Sequence, residues 1–212
     1  TTSNDKKELE ENKVKIEEAL AKKNLPLKGW TTSLDDVPDI KFLSYIYSPR
    51  NDTFRANIKF NLSPVKRGAK MDPDVKKEED VDSNVEKYPW TKRKLAGVTA
   101  AIIHDPIGFL QPNLNGFKFH VREVADLKVE WDTILSPDLA ARITSTVKLC
   151  MKAETLEFPR QALFFEASEI SVDCYFDGSM AAVGTVVAIR NTFDDGKVLY
   201  RFLKSKSKLT GK

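Results

Sequence analysis

One aspartate at the end of a predicted strand has the residue type and the position for phosphoryl chemistry. From Ile170 to Phe176 the residues alternate between apolar and polar, and this period of two predicts a strand with one buried face. The apolar positions are Ile170, Val172, Cys174 and Phe176. The strand ends at Asp177, and carboxylates on a rigid sheet can hold Mg²⁺ for cleavage of a phosphodiester, because this cation prefers oxygen ligands. Asp177 is therefore a candidate metal ligand, and the alternative is an Asx-type turn with Gly178.

Two further strands follow this aspartate. Residues Ala181–Arg190 are small or β-branched, and the Asp-Gly pair in 191–196 predicts a turn into a third strand, Lys197–Lys204. We therefore predict a three-stranded antiparallel meander at the C-terminal end. Its last strand would be an edge to which a protein partner could add a strand.

Cations cluster at two places in the sequence. Thr91 can cap a helix that runs to Ile103, and the first turn of this helix contains Lys92, Arg93 and Lys94, against the preference of the helix dipole. Backbone amides at a helix N-terminus, together with three cations, could bind phosphate, and the alternative is a solvated basic turn. The second cluster, near the C-terminal end, comprises Lys204, Lys206 and Lys208.

Several classes of site are not supported by the sequence. With His104 and His120 as the only histidines and Cys150 and Cys174 as the only cysteines, there is no zinc cluster or disulfide framework, and we expect both cysteines in the core. Glycine-rich phosphate loops and nucleophile elbows are also missing. His104 next to Asp105 could suggest a catalytic pair, but no nucleophile is evident nearby, so a structural turn is the preferred interpretation.

The composition is that of a soluble protein. The 212 residues are 41% apolar and 31% charged, with a net charge of +3, and suffice for one large or two small domains. No apolar run approaches the roughly 18 residues of a membrane span, and the N-terminal residues are too acidic for a signal peptide. We expect an intracellular protein, cytoplasmic or nuclear, that does not bind membranes.

The remaining pattern predicts an α+β fold in four parts. Residues 1–60 contain a charged helix over Asp5–Lys23 and a hairpin of Lys41–Tyr47 with Thr53–Phe60, and residues 61–90 resemble a charged flexible linker. Residues 91–160 are helical. After residue 103 we predict two helices. The first is Leu114–Trp131, and its apolar side comprises Val121, Val124, Leu127 and Trp131. The second runs from Pro137 to about Glu154, and its core face comprises Leu139, Ile143, Val147 and Cys150. Residues 161–212 hold the meander.

The order of these pieces resembles the pol polyprotein of BEL/Pao-type retroelements. The similarity is strongest at Thr91-Lys-Arg-Lys-Leu95 and at residues 104–112, His-Asp-Pro-Ile-Gly-Phe-Leu-Gln-Pro, where the family has Thr-Lys-Arg and Phe-Asp-Pro-Leu-Gly-Leu-Leu-x-Pro. Further matches occur in the family's order at Leu27–Ser33, Lys41–Tyr45, Trp131-Asp132, Phe158–Arg160 and Phe176–Ser179. His104 replaces an aromatic residue of the family, and Ser44 replaces a usual glycine.

The resemblance implies a thumb- and connection-like helical region of a reverse transcriptase that leads into the opening strands of a ribonuclease H fold. It implies that Asp177 is the first metal-binding carboxylate of that fold, and that Lys92, Arg93, Lys94, Lys204 and Lys206 contact an RNA–DNA hybrid or primer–template duplex. The other carboxylates of both active sites would lie outside this sequence. We therefore expect no catalysis by this chain alone, and Mg²⁺ binding only if further carboxylates are supplied. The alternative is a domesticated, non-catalytic scaffold that binds a protein.

Overall fold

The computed structural model of the chain describes residues 5–27, 29–30, 38–58, 62, 78–102 and 105–211. In these ranges the fold is α+β, as predicted. The elements are α1 Lys6–Ala21, β1 Ile40–Phe42, β2 Tyr45–Ser48, β3 Thr53–Ala56, α2 Glu78–Lys87, α3 Lys92–Ile102, α4 Gln111–Asp126, α5 Pro137–Ala153, β4 Glu157–Pro159, β5 Glu169–Gly178, β6 Ala182–Thr192 and β7 Val198–Leu209. None of the described helices is both long enough and apolar enough to span a membrane.

The first sheet has the order β1-β2-β3-β4 and contains the predicted hairpin with two changes. Leu43 and Ser44 adopt positive φ angles of 45° and 69°, and this turn divides the predicted strand Lys41–Tyr47 into β1 and β2. In addition, β4 pairs with β3, so that Phe54 lies opposite Phe158. A segment predicted only to end the helical region therefore completes the N-terminal sheet.

The main core lies among α2, α3, α4 and α5. Ser136 caps α5, because its Oγ atom accepts a hydrogen bond from the Leu139 backbone N at 3.4 Å, and Pro137 follows at the first helical position. The predicted core face is confirmed, since Leu139, Ile143, Val147 and Cys150 are all buried. Helix α5 thus follows directly from local capping and spacing.

Two helical predictions require correction. Helix α4 begins at Gln111 and buries Leu114, Phe117, His120 and Val124, whereas Leu127 and Trp131 lie beyond its end and are half exposed. The predicted linker 61–90 contains α2, whose Val81 is fully buried in the core. The first error concerns where α4 ends, and the second arises because neighbouring helices cover one apolar residue of a polar segment.

The second sheet is the predicted meander, with the order β5-β6-β7 and antiparallel pairing throughout. It joins the helical region through β7, where the Ser205 backbone N donates to the Ile107 carbonyl at 2.9 Å. Gly108 has a φ of 83°, and a Cβ atom there would lie 1.8 Å from the Ser205 carbonyl oxygen. The junction therefore depends on a glycine at position 108.

An aromatic cluster connects the two sheets. The Phe109 ring lies 4.4 Å from the ring of Phe158 in β4, and the Phe202 ring in β7 lies 5.8 Å and 6.0 Å from these two rings. Ring pairs at these separations stabilise beyond the area that they bury. The Phe-Pro segment after α5 therefore helps to fix the meander relative to the first sheet.

The prediction that one face of β5 is buried is wrong, because no residue of β5 is buried and the predicted apolar face is the more exposed one. Val172 and Phe176 are 59% and 85% exposed, and Cys174 is exposed rather than in the core. The opposite face of the sheet lies against α4 and the loop before it, because Ser207 of β7 bonds to Asn115 and Ser205 bonds to the Gly108 carbonyl. An alternating pattern identifies two faces of a strand, but the element that packs on the sheet decides which face is covered.

Candidate nucleic-acid interface and the position of Asp177

Asp177 lies at the end of β5 and faces α4. The pairing register places it opposite Gly184 of β6, which in turn lies opposite Ser207 of β7. Directly opposed residues project to the same side of an antiparallel sheet, so Asp177 shares the side on which Ser207 contacts α4. Its Oδ1 atom accepts a hydrogen bond from the Gly178 backbone N at 2.9 Å. An Asx turn would require a bond from the Ser179 backbone N, which donates instead to the Ala182 carbonyl, so the Asx-type alternative is not observed.

A cleft of about 420 Å³ opens beside Asp177, between the meander and the first turns of α4. Gly184 lies in the cleft lining near the centre of the sheet, and Tyr175 and Asn115 also line it. The remaining lining residues are Gln111, Pro112, Phe176, Gly178, Ser179, Ala182, Val183, Thr185, Val186, Ser205, Lys206 and Ser207. The lining is mixed, with apolar surface and a few polar groups, as in sites for small organic groups.

One lysine joins the cleft wall to the sheet. Lys118 Nζ donates to Gln111 Oε1 at 2.9 Å and to the Ser207 carbonyl at 3.0 Å, and burial lowers the pKa of Lys118. Ser207 Oγ donates to Asn115 Oδ1 at 2.6 Å. These bonds hold Gln111 and Asn115 in fixed orientations above the sheet.

Asp177 alone does not make a magnesium site. Among the residues that the structure describes, no group of three or more His, Cys, Asp or Glu side chains could hold a metal ion. Mg²⁺ requires near-octahedral oxygen coordination, and two-metal chemistry requires several carboxylates. The residues present therefore do not fit this metal without further ligands.

The structure separates the three cations at the start of α3. Lys94 is buried, and its Nζ atom donates to the Tyr88 carbonyl and to Asn84 Oδ1 and lies 4.7 Å from the centre of the Trp90 ring. Burial lowers the pKa of Lys94 to about 8. Lys94 therefore points into the protein and not toward a ligand at the surface, contrary to the predicted three-cation arrangement.

The other two cations of this turn lie at the surface next to Trp131. Arg93 forms a two-bond ion pair with Asp132, with N···O distances of 2.7 and 3.0 Å. Lys92 Nζ donates to the Val129 carbonyl at 3.1 Å and lies 5.1 Å from the centre of the Trp131 ring. Asp132 partly neutralises this turn, so its positive charge is weaker than the sequence suggests.

The lysines of β7 form a more open basic row. Lys204, Lys206 and Lys208 are exposed and lie opposite Val187, Thr185 and Val183, on the side of the sheet away from α4. Alternate residues of a strand are about 6.6–6.8 Å apart, so the three cations follow one line. These side chains can reach successive phosphates without breaking an internal contact.

Asp105 has a structural role, as the preferred interpretation stated. Its Oδ1 atom accepts hydrogen bonds from the Tyr45 hydroxyl and from the Gly108 backbone N, and its Oδ2 atom accepts one from the Leu110 backbone N. Burial, and then the hydrogen bond to Asp105, raise the pKa of Tyr45. His104 lies outside the described residues.

Sequence reasoning missed the residues that build the cleft. Gly184, Asn115 and Tyr175 come from three different elements, and no short motif contains them. The one local sign was Gly184 within a strand of β-branched residues, because such a glycine often marks close approach of another group.

The helices that lead into a three-stranded antiparallel meander, with a carboxylate at its first turn, define a ribonuclease H-like domain. The model of the family described as Pao retrotransposon-like RNaseH-like domain matches residues 91–212, more than half of the chain, and the chain belongs to this family. No curated protein matches the chain.

Proposed function

We propose that this chain is the nucleic-acid-binding segment of a retroelement reverse transcriptase and ribonuclease H, of BEL/Pao type. Its ligand is an RNA–DNA hybrid or primer–template duplex, held by the phosphate backbone. The observation that carries the proposal is the row of Lys204, Lys206 and Lys208 on an open side of the sheet, in a chain of a retroelement family. Lys92 and Arg93, at the surface beside Trp131, are further candidate contacts, and Lys94 is left out because it is buried.

The expected chemistry of this segment is binding without cleavage. Asp177 supplies one carboxylate, and hybrid cleavage with Mg²⁺ requires others that the described residues do not provide. With such carboxylates present, Asp177 would act as the first metal ligand. Without them, Mg²⁺ should have no more effect on binding than its ionic strength produces.

Salt dependence tests the proposal. The affinity for an RNA–DNA hybrid should fall linearly on logarithmic axes as salt rises, because each bound phosphate releases counterions. Lys204→Ala or Lys206→Ala should weaken binding similarly for all sequences and reduce the slope by about one each. Fluorescence anisotropy with a labelled hybrid at several salt concentrations measures both quantities.

Lys15→Ala is the matched control, because it removes the same charge from α1, a helix without buried residues in the described chain. This variant should leave affinity and slope unchanged. An affinity for the hybrid that persists at high salt would exclude recognition of the phosphate backbone. Affinities of Lys204→Ala and Lys206→Ala that equal the affinity of Lys15→Ala would exclude a role of the β7 lysines.

The second candidate is a domesticated, non-catalytic subunit that binds a protein. One observation favours it: in the described chain, the outer edge of β5 forms no backbone hydrogen bonds to another strand, and the neighbouring Phe176 is 85% exposed. The edge first predicted for docking, Lys197–Lys204, is the other edge of the same sheet. A stable stoichiometric protein complex, in a chain with no affinity for hybrid, would favour this candidate over the first.

A further inference from the structure

The cleft between α4 and the meander has the chemistry of a pocket for a single base. We propose that it binds an unpaired nucleobase that carries an amino group, cytosine or adenine. The inference rests on the proposed function in one respect only, namely that the base belongs to a nucleic-acid strand. The cleft volume, about 420 Å³, lies within the roughly 300–1,000 Å³ of ligand sites.

The first step concerns space. Gly184 lies in the row Asp177, Gly184, Ser207, and a Cβ atom at this glycine would have no heavy atom within 4 Å. The open volume above Gly184 is therefore not filled by the protein. A flat base can lie against this stretch of backbone, where any larger side chain would occupy the same volume.

The second step concerns stacking. Tyr175 lies two residues before Asp177 on the same side of β5, lines the cleft and is 53% exposed. An exposed aromatic ring beside an open cleft provides a stacking surface, which is worth about 1–3 kcal/mol per base in single-strand binding. A tyrosine ring tolerates any base, so selectivity must come from polar groups.

The third step concerns hydrogen bonds. The Asn115 oxygen accepts from Ser207 and from Lys118, but in the described part of the chain its amide nitrogen donates to no other group. Asp177 Oδ1 accepts from Gly178, and its Oδ2 atom has no partner among the described residues. The cleft thus offers one amide donor and one carboxylate acceptor.

Cytosine and adenine match this pair, because on its Watson–Crick edge each presents an amino donor beside a ring-nitrogen acceptor, whereas guanine presents its amino group beside an N–H donor. Uracil has a carbonyl where cytosine has its amino group, so it would place an acceptor against the Asp177 carboxylate. Asp177 is exposed and Asn115 is half-buried, so the discrimination comes from the direct repulsion between the uracil carbonyl and the carboxylate and not from burial of unpaired groups. We therefore expect CMP to bind at least about tenfold more tightly than UMP.

An NMR titration of the full chain tests the proposal. CMP, AMP and UMP are added in turn, and the chemical shifts of the backbone amides are followed. CMP or AMP should shift the Gly184 and Asn115 amide signals in a saturable way. Equal binding of CMP and UMP would overturn the hydrogen-bond assignment, and no saturable shift with any of the three nucleotides would overturn the pocket.

Gly184→Val places a β-branched side chain in the cleft, where its Cβ atom has no heavy atom within 4 Å, and valine suits a strand. It should abolish the CMP shifts while the far-UV spectrum stays unchanged. Gly97→Ala is the matched control, because a Cβ atom there also has open space, but on the exposed side of α3. If CMP still binds Gly184→Val as it binds Gly97→Ala, the base does not occupy this cleft.

Tyr175→Leu provides a second variant in case Gly184→Val does not fold. It should weaken CMP and AMP about equally, by roughly fivefold or more, because stacking does not depend on the base. Unchanged affinity would contradict the stacking role.

Binding of RNA–DNA hybrid by the same samples separates this inference from the proposed function. CMP binding without any hybrid affinity would refute the proposed function and keep the pocket. Hybrid affinity that is unchanged in Gly184→Val, together with lost CMP shifts, would support both. Hybrid affinity without CMP binding in the unmodified chain would refute the pocket alone.

Discussion

His120 is a buried histidine whose ionisation is coupled to packing between α4 and α5. Its Nε2 atom lies 2.9 Å from Thr146 Oγ1, and its Nδ1 atom is buried with no hydrogen-bond partner among the described residues. Burial, and then the positive charge of Arg142 on α5, lower the pKa of His120 below its ordinary value of 6.5, while Glu123 on α4 acts in the opposite direction. The protonated form would place an unpaired charge at this interface.

The chain should therefore lose stability as the pH falls below about 6.5. In this range the unfolded chain binds a proton at position 120 more readily than the folded chain does, so protonation favours unfolding. At pH values above the pKa that His120 has in the unfolded chain, the histidine is neutral in both states and protonation no longer lowers the free energy of unfolding. Urea unfolding at pH 5, 6 and 7.5 measures the slope.

His120→Gln is the control for this prediction, because glutamine can still bond to Thr146 but does not titrate. The variant should show a smaller loss of stability between pH 7.5 and pH 5 than the unmodified chain. Identical pH slopes for the two proteins would show that His120 does not cause the dependence.

Burial also explains why the sequence positions of the cations did not predict which of them reach the solvent. Lys94 and Arg93 are neighbours in sequence, yet one packs under Trp90 and the other forms an exposed ion pair with Asp132. A helix places successive residues about 100° apart, so adjacent cations face different surroundings. The sequence identified the cluster, whereas only the positions of α2 and the segment after α4 determined which cations reach solvent.

At the scale of elements, α2 shows how a polar segment joins a core. It contacts α5 through the fully buried Val81 and through an ion pair between Asp82 and Lys148 with an N···O distance of 2.7 Å. Burial of an apolar side chain stabilises far more than an exposed ion pair does. Val81 should therefore hold α2 in place.

Val81→Ala should lower the free energy of unfolding by about 2 kcal/mol, because it leaves a cavity in the core. Asp82→Ala should cost less than about 1 kcal/mol, since the pair is exposed to solvent. Urea unfolding at neutral pH compares the two variants. A larger loss for Asp82→Ala would mean that α2 is held by charge.

The loop around Gly108 holds the two sheets together. The positive φ there and the contact with Ser205 leave no room for a side chain, while the Phe109 ring next to it packs on Phe158 and Phe202. The loop that begins at Asp105 is held by Tyr45 of the first sheet. This loop therefore connects β2, α4 and β7.

Gly108→Ala should destabilise the chain by at least about 2 kcal/mol, from backbone strain and displacement of β7. It should also remove hydrogen-exchange protection of the Ser205 amide, which bonds to Ile107. Gly97→Ala, at an open position in α3, should instead be neutral or stabilising. Protection of Ser205 that survives Gly108→Ala would show that the junction does not require this glycine.

Elements that depend on near neighbours in the chain are predictable from the sequence. The capped helix α5, the first hairpin and the three strands of the meander follow from caps, turns and periodicity, which act over a few residues. The order of weak motifs also indicated a retroelement, and the family match over 91–212 confirms this. These properties do not require knowledge of distant contacts.

Contacts between distant parts of the chain determine which surfaces are covered and which residues form the cleft. Contacts between residues far apart in sequence determine three features: the exposure of Phe176, the burial of Lys94 and the pairing of β4 with β3. Gly184, Asn115 and Tyr175 come together only because β7 packs against α4. Periodicity distinguishes the two faces of an element, but burial is decided by the neighbour that packs on it.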